Sequence, residues 1–233
     1  MKQLSERINS LPVSETLAMA AKARELKNKG LDIIGLSLGE PDFNTPEFIK
    51  DAAIQAVKDN WNSYSPVDGY ADLKESICLK FKRDNGLNYK PSQVVVSTGA
   101  KQSIANVCMV LLNPGDEVLL PAPYWVSYSA IATLAEAKSV IIPSSIETDF
   151  KITPDQLENA ITPKTKLVMF NSPNNPSGTI YTESEYRALG KVLEKYPDIH
   201  ILSDEIYEHI NYGTDHFSIA AIPELYDRTI TVN

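Results

Sequence analysis

Lys166-Leu-Val-Met-Phe170 leads through Asn171-Ser-Pro-Asn-Asn-Pro-Ser-Gly178 into a helical stretch at Thr182–Lys195 and then into a second apolar run, His200-Ile-Leu-Ser203. Both runs are apolar almost throughout instead of alternating, the pattern of strands buried on both faces. A strand, a helix and a second strand of this kind imply a parallel crossover, and therefore an α/β fold: a mostly parallel sheet with helices on both faces. In such sheets ligands bind beyond the carboxyl ends of the strands, which directs attention to the residues that follow each run.

The same rhythm extends in both directions. Upstream, Val94–Ser97 predicts a strand and Ala100–Leu112 a helix closed by Asn113-Pro-Gly115. Glu117–Leu120 predicts a strand, Tyr124–Ala135 a helix after Pro123, Ser139–Ile142 a strand and Pro154–Ala160 a short helix. Downstream, Thr229–Val232 predicts a further strand. Before the sheet, Ser14 is suited to cap a helix running to Lys29 and ended by Gly30. Thr45-Pro46 opens a second helix, and a third covers about Ala71 to Arg83. The sequence stops at Asn233, directly after a strand. A buried strand edge needs a partner or cover, so the chain reads as cut.

Composition narrows the function. The 233 residues are 43% hydrophobic and 22% charged, ordinary globular usage, and 22 basic against 30 acidic residues give a net charge of −8. Without a basic run, neither nucleic acid nor an anionic membrane is an expected partner. No apolar stretch approaches the roughly 18 residues of a membrane helix, and the first ten residues lack the apolar core of a secretory signal. Cys78 and Cys108 are far apart and form no C-x-x-C, which suggests two buried thiols in a cytoplasmic protein. No G-x-G-x-x-G occurs, and Val94 stands where a P-loop leading to Gly99 would need glycine. His200, His209 and His216 form no zinc spacing, and Ile206 occupies the position a Glu-x-x-His pair would give to glutamate, so no metal site is expected.

Five junctions carry the candidate chemistry. At Ser97-Thr-Gly99-Ala100-Lys101 a predicted strand passes through glycine into a helix, so free N–H groups and the positive helix end face the ligand crevice, a seat for phosphate. The plain alternative is a turn that solves a packing problem, with Lys101 a solvated lysine. Asn175, in the proline-rich loop, is presented rigidly or serves only turn chemistry. Asp204, in Ser203-Asp-Glu-Ile-Tyr207, is a carboxylate whose charge is costly to bury without a cation, or a helix cap. Trp125, in Pro123-Tyr-Trp125, belongs to an aromatic pair just past a strand end, with packing filler as the plain reading. Gly39, in Leu38-Gly-Glu-Pro-Asp-Phe43, lets backbone approach a ligand closely.

Taken in this order at these strand ends, the elements resemble the class I/II aminotransferases, fold-type-I enzymes that use pyridoxal 5'-phosphate. Asn175-Pro-x-Gly178 and Asp204-x-x-Tyr207 are the most telling, and Tyr64 with Gly69 fits that family's Y-x-x-x-x-G segment. The likeness is greatest to bacterial aspartate aminotransferases and covers the whole chain.

The resemblance implies a site. Gly99, Ala100 and Lys101 would hold the cofactor phosphate, joined by Tyr64 from the partner subunit of a homodimer. Trp125 would stack on the ring, Asn175 and Tyr207 would hydrogen-bond its 3′-oxygen, and Asp204 would keep its nitrogen protonated, with Asp204 and Tyr207 acting in catalysis. Gly39, Trp125, Asn175 and Lys101 would contact substrate, with Lys101 recognising a distal carboxylate. The expected reaction is transamination between an acidic amino acid and a 2-oxo acid, aspartate and 2-oxoglutarate giving oxaloacetate and glutamate. Other α-carbon chemistry on the same fold stays open: an aromatic or prephenate aminotransferase, a C–S lyase, a decarboxylase or a non-catalytic fragment. The resemblance also divides the chain into an arm with the start of a small domain (1–45) and an incomplete large cofactor domain (46–233). It places the Schiff-base lysine and the rest of the small domain beyond residue 233.

Overall fold

The computed structural model describes residues 4–12, 15–36, 39 and 41–233. The predicted cap Ser14, together with Ser37, Leu38 and Glu40 of the tight turn, lies outside the described residues. The chain divides into two compact units, Pro12–Val67 and Met1–Leu11 with Asp68–Asn233.

The larger unit begins with α1 (Glu6–Asn9), where the Ser5 side chain accepts the Ile8 N–H. The smaller unit holds α2 (Glu15–Asn28) and α3 (Glu47–Lys58). Gly30, at φ +83°, ends the first of these as expected, its N–H reaching the Lys27 carbonyl at 2.9 Å. Pro46 immediately precedes the second.

From Asp68 onward the elements are α4 (Ala71–Asn85), α5 (Ala100–Leu111), β1 (Glu117–Pro121), α6 (Ser127–Leu134), β2 (Lys138–Ile142), α7 (Pro154–Ala160), β3 (Thr165–Asn171), α8 (Glu183–Leu193), β4 (His200–Asp204) and β5 (Thr229–Val232). The five strands form one sheet in the order β2-β1-β3-β4-β5, with every neighbouring pair parallel. Successive side chains point to opposite faces, and helices cover both. Leu119, Val168, Phe170 and Ile201 pack with Leu157 of α7 and with Tyr186, Leu189 and Leu193 of α8. Val118, Leu120, Leu167, Met169 and Leu202 pack with Ile104 and Cys108 of α5 and with Tyr128, Ile131 and Ala132 of α6. Capping boxes start α7 at Thr153 and α8 at Thr182.

Two expectations change. Val94–Ser97 forms no strand among the described residues. Its β-branched run pairs with no neighbouring strand: the Val94 N–H turns back to the Pro91 carbonyl at 3.2 Å, the Val96 N–H reaches the Asp68 carbonyl at 3.1 Å, and Val95 is exposed. The helix expected from Tyr124 begins only at Ser127, so Tyr124 and Trp125 lie in the turn that leaves β1 after the cis Ala122–Pro123 peptide. No helix among the described residues is long and apolar enough to cross a membrane.

Candidate active site

The carboxyl ends of β1, β3 and β4 and the start of α5 surround a cavity of about 150 Å³. It is lined by Ala100, Trp125, Tyr128, Asn171, Asn175, Asp204, Ile206 and Tyr207. Five of the residues singled out in the sequence therefore meet at one place.

Asp204 is the last residue of β4 and is 3% exposed. No helix follows it: residues 206–209 form a turn, and Asp204 Oδ1 accepts the Ile206 N–H at 3.3 Å. The helix-cap alternative is thus replaced by a local turn. Oδ2 accepts a hydrogen bond from the Tyr128 hydroxyl at 2.5 Å. Burial pushes the Asp204 carboxyl above its ordinary range, an effect the Tyr128 and Ile206 donors oppose and the neighbouring Glu205 charge reinforces. Among the described residues no lysine, arginine or histidine offsets the charge. A buried carboxylate of this kind is stable as an anion only beside a cation.

The β3–α8 connection is tied to the Asp204 strand end. Asn171 Nδ2 and the Ser172 N–H both donate to the Asp204 carbonyl, at 3.0 and 3.2 Å. Asn171 Oδ1 accepts the Asn175 N–H at 2.7 Å, which sets Asn175 beside Tyr207, its Nδ2 3.5 Å from the phenolic oxygen. Asn174 closes the loop from the other side, donating to the Pro123 carbonyl at 3.2 Å. The turn that carries Trp125 is thereby joined to the turn that carries Asn175.

Trp125 stands edge-to-face with Tyr128, ring centroids 5.6 Å apart at 89°. The Lys101 ammonium lies 4.8 Å from the indole centroid, a cation–π arrangement. Gly99, at φ +82°, precedes α5 without a side-chain cap; the Gln102 and Ser103 N–H groups turn to the Gly99 carbonyl, which leaves those of Ala100 and Lys101 at the open helix end. These groups and the helix dipole favour an anion. Gly39 and Tyr64 belong to the other compact unit; both are exposed, Tyr64 completely.

Two features escaped the sequence reading. Tyr128 is one, although Trp125 and Tyr128 are spaced three apart in a predicted helix, which puts them on one face. The other is a charged foundation beneath the 204–208 turn, where Glu205, Glu208 and His216 place ligand-type atoms within 4.8 Å of one another. Protein donors occupy this cluster. Ser203 and Ser218 bind Glu205 at 2.7 and 2.6 Å, Lys80 and Asn85 bind Glu208, and His216 Nε2 lies 3.0 Å from Glu205. The Glu205 N–H reaches the Val232 carbonyl at 2.8 Å, locking the turn to β5.

A parallel sheet with open helix N–H groups, an indole and a buried acid gathered at its strand ends puts the chain among α/β proteins that bind ligands at that edge. The family described as "Aminotransferase class I and II" matches residues 31–233, and the chain belongs to it. That family depends on pyridoxal phosphate. The chain is 51% identical over 233 residues to a protein of Nitrosomonas europaea named aspartate/prephenate aminotransferase, covering 99% of this chain and 59% of that one. It is similar to the crystal structure of an aspartate aminotransferase from Rhizobium meliloti, at 44% identity and TM-score 0.95, over 98% of this chain and 58% of that chain. It is also similar to the aspartate aminotransferase of Thermus thermophilus solved with maleate, at 39% identity and TM-score 0.94, over 99% and 60%. The chain thus spans about three-fifths of the length of these relatives.

The residues present fit the cofactor. Among the described residues Asp204 has no cationic partner, a place that a protonated pyridine nitrogen would fill. Trp125 offers a ring face, Asn175 and Tyr207 offer paired donors, and the start of α5 offers free N–H groups.

Proposed function

We propose that this chain forms the cofactor-holding part of a pyridoxal-phosphate-dependent aminotransferase. The enzyme exchanges an amino group between an acidic amino acid and a 2-oxo acid, aspartate and 2-oxoglutarate giving oxaloacetate and glutamate. The observation that carries this reading is the buried Asp204 carboxylate, without a cationic partner among the described residues, in the wall of a cavity that Trp125 also lines.

When bound, pyridoxal phosphate supplies an electron-withdrawing ring that delocalises the charge left on an amino acid's Cα after proton loss. Asp204 holds a proton on the ring nitrogen, which keeps that withdrawal strong. Trp125 stacks on the ring and excludes water from one face. Asn175 and Tyr207 would hydrogen-bond the ring's 3′-oxygen. Gly99, Ala100 and Lys101 receive the phosphate, where the dipole of α5 adds to the attraction. Tyr64, wholly exposed, reaches the phosphate in a second copy of the chain, making the protein a homodimer with shared sites. Gly39 offers its backbone to the substrate α-carboxylate. The lysine that links the cofactor covalently is assigned to a position after Asn233. Cys78 and Cys108 are free thiols, in keeping with a reducing cytoplasm.

Lys101 favours dicarboxylic substrates, because its ammonium beside Trp125 attracts a second carboxylate. The Thermus relative solved with maleate, itself a dicarboxylate, supports that preference. The name of the Nitrosomonas relative favours prephenate as a further amino acceptor. The test incubates the full-length protein and cofactor with aspartate and either 2-oxoglutarate or prephenate. Oxaloacetate with a stoichiometric new amino acid is expected. Release of ammonia in place of amino transfer would overturn the assignment.

A further inference from the structure

Tyr128 is buried, 2% exposed, and its hydroxyl is the one side-chain donor to the Asp204 carboxylate among the described residues. The groups around that carboxylate are few. Tyr128 faces it from α6, and Glu205, Tyr207 and the Ile206 N–H belong to its own turn. Asn171 of β3 binds the Asp204 carbonyl instead of the carboxylate. Burial favours the neutral acid, and the phenol is the strongest influence opposing it. The phenol itself stays protonated, since burial and the adjacent Asp204 charge push its ionisation far above the ordinary range. Its direction is set by packing, through the edge-to-face contact with Trp125 and the core beneath α6.

We propose that Tyr128 is a positioning residue whose phenol aims the Asp204 carboxylate at a protonated ring nitrogen. The proposal rests on the reading of the cavity as a pyridoxal phosphate site. A donor to a carboxylate stabilises its charged form. Without the phenol, Asp204 accepts a proton more readily, and attraction for a cationic ring weakens most as the pH falls. A tyrosine that only filled space would affect ligands with and without a ring nitrogen alike, at every pH.

The experiment compares wild type, Tyr128→Phe and Tyr128→His. Equilibrium affinities are measured for pyridoxal phosphate and for its 1-deaza analogue, in which carbon replaces the ring nitrogen, from mildly acidic to mildly alkaline pH. Thermal melts of each variant check folding. Tyr128→Phe is expected to weaken pyridoxal phosphate about tenfold or more, the size of a charge-assisted hydrogen bond. The loss should grow toward acid pH and spare the analogue, and Tyr128→His, which keeps a donor, should restore part of it. Equal losses for both ligands, or a loss independent of pH, would overturn the positioning role while leaving the cofactor site intact. Wild-type protein that binds neither ligand would overturn the cofactor site itself and the proposal with it.

Discussion

Replacing Gly69 by alanine tests how the segment that leads into α5 is held. Gly69 lies at φ +102°, and a Cβ built there would meet Val96 Cγ2 at 2.5 Å and Val96 Cβ at 2.9 Å. Rotating Val96 moves the methyl group but not the Cβ, so a rotamer change relieves only part of the overlap. Backbone retreat is restrained as well, because the Asp68 carbonyl accepts the Val96 N–H at 3.1 Å. A left-handed backbone costs a residue with a Cβ about 1–2 kcal/mol, and overpacking about 1–3 kcal/mol, so a total of about 2–5 kcal/mol is expected. Urea unfolding with an unchanged slope reads this as a shifted midpoint. In a double-mutant cycle, Val96→Ala should recover the Cγ2 part only, about 1 kcal/mol, leaving the backbone strain and the Cβ contact. A loss below about 1 kcal/mol, or complete rescue by Val96→Ala, would refute the reasoning. Cofactor affinity should fall as well, since Val96 leads directly into Ser97–Lys101.

Asp204 should destabilise the protein in the absence of cofactor. Its folded-state pKa lies above the unfolded value, so its favourable contribution is present at acid pH and is lost as the pH rises through the folded value. Cofactor-free Asp204→Asn should therefore melt higher than wild type at neutral pH, with the gap closing toward acid. The same variant should bind pyridoxal phosphate roughly a hundredfold or more weaker, as befits a broken buried ion pair, measured by titration of Trp125 fluorescence. Arg228 donates to the Leu193, Tyr196 and Ile199 carbonyls at 2.8–2.9 Å, closing the end of α8. Arg228→Lys cannot span all three and should cost about 1–3 kcal/mol in denaturant unfolding. Lys80→Met leaves the Glu208 carboxylate buried without its lysine and should cost about 3 kcal/mol, with Lys80→Met/Glu208→Gln recovering part of it.

The sheet was readable because β1, β3 and β4 are apolar on both faces, a pattern set by burial. The strand-end residues Asp204, Asn175 and Trp125 were also readable, since polar or aromatic groups at such ends stand out against the apolar runs before them. Val94-Val-Val96 misleads because β-branched side chains favour extended backbone, whereas a strand also needs a partner along its length; here Val94 bonds back to Pro91 and Val96 to Asp68, and no strand lies alongside. Tyr124–Trp125 reads as helix because nothing in its residue types marks the turn that the loop contact from Asn174 to Pro123 supports. Tyr128 and the Glu205–Glu208–His216–Lys80 network depend on contacts between residues up to 128 positions apart, which no local pattern encodes.

Pyridoxal phosphate labelled with ¹⁵N in its ring offers the most direct test, because the chemical shift of the bound nitrogen reports whether it carries a proton. With Asp204 intact, the nitrogen should stay protonated into the alkaline range where the free cofactor has already lost its proton. In Asp204→Asn the bound nitrogen should be unprotonated at neutral pH. A nitrogen that is unprotonated beside an intact Asp204, or whose titration ignores the substitution, would contradict the pairing on which the assignment stands.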